Sequence, residues 1–540
     1  MRPGSFAAGL AALLAAGLAG CCGGGGDAPA PPPAVAALPA DRVSAASPVA
    51  PGCTGGSTGG NFHLNAEVEP FVAIDPGNAQ HLVATWQQDR WSNGGARAIV
   101  SAASFDGGAS WTRVLQPLSR CGGGTAAGGG DYERASDPWV DIGPDGSVHL
   151  MALAFSGSAG SASMSAMLAS RSTDGGLTWS TPATLIADGA AVFNDKNTLS
   201  ADPTDADFVY AVWDRLAATG GGPTWFARST DAGRSWEPAR MIFNPGLTSQ
   251  TIGNRIVVIA DGPARGLLVN VFTQIDVVAG RARNSLAVIR SADHGQTWSA
   301  PRRIADMQGV GARDPDDGTP IRDGSILPTI AAGPGGVLWV AWQDSRFSGG
   351  LRDAIAVSRS LDAGQTWSLP VAVNRDAAVA AFTPALAMRA DGTVGLTHYD
   401  LRPDRPGATL AQAWLLTSRD GQTWAETALW TPFDLGAAPR VDAGLFLGDY
   451  QGLMAGATQF LPLLAMSSPD AANPSDLFLL PVGGAAATQS THRARQALAA
   501  PARGEQALRQ RVHEGTVRSM ERRLPGWSRR MGIAPDAPPR

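Results

Sequence analysis

The 540-residue chain holds 66 Gly, 39 Pro and 16 Trp, only 16% charged residues, and a formal net charge of −5, a composition that suits an all-β protein rich in turns. The net charge hides an asymmetry: residues 485–540 carry 11 Arg against 4 acidic residues, a surplus of +7 that leaves −12 on the remainder. An acidic body of this kind excludes the basic footprint of a nucleic-acid binder.

From the N-terminus, Arg2 precedes an apolar run from Phe6 to Leu18. The run is too short for a membrane span and reads as a signal peptide over residues 1–20. It ends in Leu18-Ala19-Gly20-Cys21, which looks like a bacterial lipobox and makes Cys21 the expected lipidation site. Residues 21–57 follow as a Gly/Pro/Ala-rich tether. In an oxidising compartment Cys53 and Cys121 are then the natural disulfide pair.

Short apolar runs recur beyond the tether. Phe71 to Ile74, His81 to Gln87, Ile99 to Ser104 and Thr112 to Leu115 give four strands of a first unit. Trp139 to Ile142, Val148 to Phe155 and Ala166 to Ser172 open a second, and Gln451 to Ala455, Phe460 to Met466 and Leu477 to Val482 form a last one. Their continuous apolar character fits sheets buried on both faces. Residues 485–540 lose the pattern. Leu508, Val512, Val517, Met520 and Leu524 space as a weak amphipathic helix between Pro501 and Pro525, and the segment is expected as a basic, partly helical or disordered, solvated tail, with docking on the acidic propeller or on anionic lipid as the alternative.

One octet punctuates these units. Ser172-Thr173-Asp174-Gly175-Gly176-Leu177-Thr178-Trp179 returns at Ser104 to Trp111, Ser229 to Trp236, Ser291 to Trp298 and Ser360 to Trp367, and one residue shorter at Ser418 to Trp424. The Asp-to-Asp steps are 68, 57, 62, 69 and 58 residues. An Asp that accepts from backbone N–H groups ahead of it, a Gly that supplies positive φ, and a Trp that buries its ring make this a hairpin turn. The repeats resemble the Asp-box, or BNR, repeats of the sialidase superfamily, over roughly residues 60 to 484. The resemblance implies a β-propeller at residues 58–484, with each octet between the third and fourth strands of a blade. Seven blades are expected, with six as the runner-up. The seventh unit has three strands, so its outer strand is expected from Phe62 to Ala66.

With the octets on one face, the starts of first strands and the ends of second strands converge on the opposite mouth. Glu69, Asp137, Asp195, Lys196, Asn254, Arg255, Asp449 and Tyr450 fall there. Lys196 is the only lysine, as if a compact ammonium were required at this point. Asp/Arg pairs recur at second-strand ends, at Asp89-Arg90, Asp214-Arg215, Asp344 with Arg346, and Asp400 with Arg402. Repetition reads most simply as a clamp on each loop. Catalytic sialidases, by resemblance, imply three arginines on a sugar carboxylate, an Asp acid/base and a Tyr nucleophile activated by a Glu. Here those roles fall to Arg255, Arg346 and Arg402, with Arg90 and Arg215 as spares, to Asp137, and to Tyr450 with Glu69 or Glu133. Lys196, Asp195 and Asp449 are further candidates for holding substrate. The family's opening Phe/Tyr-Arg-Ile-Pro motif is replaced by Val68-Glu69-Pro70-Phe71, which removes its first arginine.

Arg313 to Gly318 with Arg322-Asp323 is an Asp-rich loop offering oxygens to a structural Ca²⁺, without EF-hand spacing. No zinc cluster or phosphate-binding Gly loop stands out, and no cofactor is expected. The sequence therefore points to an exported, lipid-anchored monomer whose propeller mouth binds a glycan or protein. The alternative is an exo-α-sialidase or related glycoside hydrolase removing terminal acidic sugars.

Overall fold

Turn residues confine this chain to short strands, and short strands satisfy their backbone groups by antiparallel pairing with sequence neighbours. The computed structural model describes residues 42–57, 59–158, 162–217, 220–483, 490–497, 502–523 and 525–533. The chain divides into residues 1–39 and 40–540. All described residues belong to the second unit, so the expected signal peptide and Cys21 lie outside them.

Among the described residues, antiparallel units here labelled I to VII follow one another. Their first strands are Glu67–Asp75, Arg134–Ile142, Val192–Ala201, Ser249–Val258, Thr329–Ala332, Ala381–Met388 and Gly452–Ala455. Each first strand packs on the next in order, and that of unit VII packs back on that of unit I. The first strands therefore form the inner wall of a β-propeller ring. Between units lie wholly buried aromatic rings, among them Trp86, Trp213, Trp342 and Trp424.

The octets are the hairpins between third and fourth strands. At Ser172 the hydroxyl oxygen accepts from Gly176 N at 2.9 Å, while Asp174 accepts from Thr178 N at 2.9 Å and Thr178 Oγ1 at 2.6 Å. Trp179 Nε1 closes the turn on Gly176 O at 3.1 Å. The same set recurs at Ser104, Asp106, Gly108, Ser110 and Trp111.

Closure differs from the sequence expectation. The outer partner of Ser475–Leu479 in unit VII is not Phe62 to Ala66 but Arg42 with Val43: Arg42 bridges Phe478 antiparallel, and Val43 N donates to Leu477 O at 2.8 Å. Ala66 makes a single parallel bridge to Ser475. Asp476 explains the choice, because this buried carboxylate takes an ion pair from Arg42 and a 3.0 Å bond from Ser44 Oγ, which Phe62 to Ala66 does not offer. The tether expected through residue 57 is therefore packed from residue 42 onward. Arg97 donates to Cys53 O and Ala50 O, and the Cys53–Cys121 disulfide, with Cα atoms 5.8 Å apart, fixes the leader to unit I.

The C-terminal segment is also corrected, from a solvated tail to a docked one. Ser490–Arg493 adds a strand to the outer edge of unit VI and Arg495–Gln496 one to unit V. The helix Ala502–Arg523 then buries Leu508, Val512, Thr516 and Met520, a stripe at four-residue spacing, and beyond it Trp527, Met531 and Ile533 are buried. Among the described residues no helix is long and apolar enough to cross a membrane.

Candidate functional site

Five of the first strands carry a register shift at the same place. Their pairing skips between Val68 and Phe71, Ser136 and Trp139, Ile252 and Arg255, and Phe382 and Ala385, and opposite Val212 and Asp214 in unit III. At each bulge one residue holds left-handed backbone: Glu69 (φ 53°), Asp137 (50°), Lys196 (48°), Gly253 (70°) and Thr383 (51°). Only Gly adopts this freely, so four non-glycine residues there store strain of about 1–3 kcal/mol apiece. The bulges place Glu69, Asp137 and Lys196 together at the mouth end of the inner wall.

Lys196 is the centre of the cluster. Its Nζ donates to Asp137 Oδ1 at 2.5 Å, lies 2.8 Å from Asp449 Oδ2 and is 3.7 Å from Glu69 Oε1, with all four side chains buried. Burial alone would lower the lysine's pKa, but Asp137, Asp449 and Glu69 outweigh it and hold Lys196 above its ordinary value. Burial, then the Asp137 carboxylate, pushes Glu69 up to about 7. Arg322 grips Asp449 with two bonds, Nε to Oδ1 at 2.9 Å and Nη2 to Oδ2 at 2.5 Å. Gln87 is the hub below: it donates to Glu69 Oε2 and, at 3.0 Å, to Ser136 Oγ, and accepts from Arg90 Nη1 at 2.5 Å. Ser136 Oγ donates onward to Asp137 Oδ2 at 2.8 Å. Burial and then Arg322 lower Arg90 to about 10. Three carboxylates thus face three cations.

One tier along the channel, Arg255 spreads its guanidinium over Trp139, 5.0 Å from the ring centroid, and donates to Thr329 Oγ1 at 2.7 Å. Tyr450 leans on the same Trp139 at 5.3 Å, and its Oη donates to Pro138 O at 3.2 Å. Burial, then Glu69, pushes the Tyr450 phenol well above its usual value. A phenol held protonated on a backbone carbonyl is not arranged as an activated nucleophile.

Other expected groups do not converge. Arg346 is bound at 2.8 and 2.7 Å to Asp344, which also takes Trp342 Nε1 at 2.7 Å. Arg402 is spent on Asp400 and Glu426 and stacks on Trp414. Arg215 pairs with Asp188. Arg346 and Arg402 are clamps within their own units, whereas Arg215 ties unit III to Asp188 on the outer strand of unit II and not to Asp214, and Arg90 goes to Gln87 while Asp89 takes Arg97. The clamps expected at Asp89-Arg90 and Asp214-Arg215 do not form, and the grip expected of Arg255, Arg346 and Arg402 is not assembled. Asp195 is buried beside Lys196 and lines a cavity of about 30 Å³ with Arg90 and Arg322. Glu133 accepts from Gly157 N. In the Asp-rich loop, Asp314 accepts from Asp316 N, Asp317 from Thr319 N, and Asp316 from Gly407 N. The carboxylates proposed for Ca²⁺ are used to fold that loop and to tie it to its neighbour.

Sequence reading placed Gln87 in the polar ring at the mouth, at the second-strand end Gln87-Gln88-Asp89-Arg90, without a role, and Arg322 only in the Asp-rich loop. Arg322 reaches Asp449 because Ile321–Arg322 pairs in parallel with Leu445 and Phe446, a long-range strand of two residues with no periodic signal. The hub role of Gln87 depends on Glu69, Ser136 and Arg90 meeting it, which its own strand position does not encode.

The cavities around the cluster are small. One of about 50 Å³ is lined by Asp137, Trp139, Lys196, Arg255, Asp449 and Tyr450, and one of about 60 Å³ by Arg313, Arg322, Asp323, Asp449 and Arg518. Each has room for a few waters.

No family model and no curated protein matches this chain. Solved structures that are similar include an alpha-L-arabinofuranosidase from Fusarium graminearum, 14% identical over 63% of this chain and 89% of that one, with a TM-score of 0.43. A Hadza microbial sialidase is 18% identical over 62% and 63% at 0.40, and a Dyadobacter fermentans protein of unknown function 16% identical over 79% and 96% at 0.41. Likeness at this level carries no argument about activity.

Proposed function

We propose that this chain is an Asp-box propeller of the sialidase-like kind that binds a glycan or protein at its mouth, exported and lipid-anchored through Cys21, without sialidase catalysis. One observation carries the reading: Tyr450 Oη is committed to the Pro138 carbonyl while Lys196 and Arg322 neutralise the carboxylates beside it. Alternating carboxylates and cations around one opening match hydroxyl-rich or acidic sugars, which need both acceptors and donors.

Hydrolysis is the second reading, favoured by Glu69, whose carboxyl near pH 7 beside Asp137 is suited to proton transfer. Incubating the full chain with a fluorogenic sialoside and a panel of other glycosides, alongside a glycan array, separates the two. Retention on glycans without turnover supports binding. Turnover lost in Tyr450→Phe would overturn it in favour of sialidase chemistry, and turnover lost only in Glu69→Gln would favour a carboxyl-based hydrolase. Labelling with a fatty-acid precursor tests the anchor, since Cys21→Ala should abolish incorporation.

A further inference from the structure

The helix Ala502–Arg523 and the turn after it lie on the loops around the mouth. Trp527 Nε1 donates to Gln250 Oε1 at 2.7 Å at the start of unit IV's first strand. Asn284 Nδ2 donates to Thr516 Oγ1 at 2.7 Å, and the Ala282 backbone N–H to His513 Nδ1 at 3.0 Å. Arg511 reaches Gly349 O, and a Cβ on Gly350 would meet Leu508 at 2.6 Å. Met520, Trp527, Met531 and Ile533 join one apolar cluster with Phe193, Leu216, Ile275 and Ile326. The segment therefore bridges loops of units III, IV and V. Its Arg518 and Ser519 form one side of the cavity whose other side is Arg322, Asp323 and Asp449. Asp449 in turn holds Lys196.

We propose that residues 502–533 are a displaceable cap, and that the groove beneath them is a helix-recognition surface which this segment occupies in cis and thereby keeps the Lys196–Arg322 cluster closed. Three observations support it. The helix side chains contact the propeller through a narrow stripe, with Glu505 and Arg509 exposed to water away from it. The charge of +7 on residues 485–540 opposes the −12 of the remainder, which favours cis docking and weakens with salt. The cavity of about 60 Å³ that Arg518 and Ser519 close leads to Arg322 and Asp449, so a ligand approaching those two from this side needs the cap moved, and a wider cavity of about 970 Å³ runs between residues 505–512 and unit IV. Met520 and Trp527 are the anchors, as an aromatic and a Met in a pocket are for helix-in-groove recognition.

The experiment reads access and needs no ligand. Ser325 lines the cavity beside Arg518, and Ser325→Cys is labelled with a maleimide in the full chain, with the modified peptide followed by mass spectrometry. The same measurement is made with Met520→Asp and Trp527→Ala added. Labelling is expected to rise about ten- to a hundredfold on adding them, the change in open population that loss of two buried anchors produces. A synthetic 502–533 peptide added to the triple variant should restore protection. Circular dichroism and the melting transition of the propeller verify that the variants remain folded. Unchanged labelling in a folded triple variant, whose helix region has become sensitive to protease, would overturn the cap. Restored labelling protection without peptide specificity, for instance by a scrambled sequence, would overturn the recognition surface.

Discussion

Lys196 Nζ sits 2.5 Å from Asp137 Oδ1, and both residues hold left-handed backbone, at φ 48° and 50°. Two adjacent units thus strain their inner strands at the same position to bring one ammonium and one carboxylate together side by side on the inner wall. Strain retained by a buried ion pair marks a position that the surrounding structure over-determines. Asp449 and Glu69 complete the shell of that ammonium.

Removing the ammonium leaves three buried carboxylates facing one another. Lys196→Met should destabilise the fold by about 3–5 kcal/mol, the scale for breaking one side of a buried charge network. Chemical denaturation of the two chains measures it. Lys196→Arg should recover only part of the loss, because a planar fork does not replace a point donor surrounded by three acceptors.

The pH dependence has a definite sign. Glu69 is raised to about 7, Asp141 to about 6 and Asp353 to about 8 in the folded chain. Between the unfolded carboxyl pKa and those values the folded state binds more protons than the unfolded one, so stability falls as pH rises from about 4 to 8. Melting temperature measured across that range should decline, and Glu69→Gln should flatten the part between about 4.5 and 7. The octet carboxylates act oppositely: hydrogen bonds from Thr178 and Ser172 help to hold Asp174 near 2, so its contribution is present above pH 4 and lost as pH falls towards 2.

Ser172 tests the octet as a structural device. Its buried hydroxyl oxygen accepts from Gly176 N, so Ser172→Ala leaves that N–H without its partner at a cost of about 1–3 kcal/mol. Denaturation should register the loss, and glycan retention should be unchanged because the octets lie on the face away from the mouth.

The leader is held by a disulfide that joins residues 68 apart. Reduction should cost about 2–4 kcal/mol and lower the melting temperature. Hydrogen exchange at Val43 N, which donates to Leu477 O, should rise in the reduced chain. An unchanged Val43 would mean that Arg42 and Ser44 hold the closing strand without the bridge.

Local patterns were legible in the sequence for physical reasons. A hairpin needs its Ser, Asp, Gly and Trp at fixed offsets, so the octets at Asp106 and Asp174 announced both the turns and the direction of the strands. That direction placed Glu69, Asp137, Lys196 and Asp449 at one mouth, where they do meet. The Arg346 and Arg402 clamps were legible as repeats, yet their convergence on a ligand was not, because a side chain two residues from its own Asp partner is captured by it first.

The sequence by itself determined what depends on short range: strand and turn alternation, the octet hairpins, and the repeat that sets which residues reach the mouth. Only the tertiary structure decided what depends on contacts far apart in the chain. Arg42 with Val43, and not Phe62 to Ala66, closes unit VII because the buried Asp476, more than 400 residues away, takes an ion pair from Arg42 and a bond from Ser44. Arg322 meets Asp449 across 127 residues. The C-terminal helix lies on the mouth because Gln250, Asn284 and an apolar cluster there match Trp527, Thr516 and Met520. No local spacing encodes such pairings, since each depends on closing a long loop before any contact is gained.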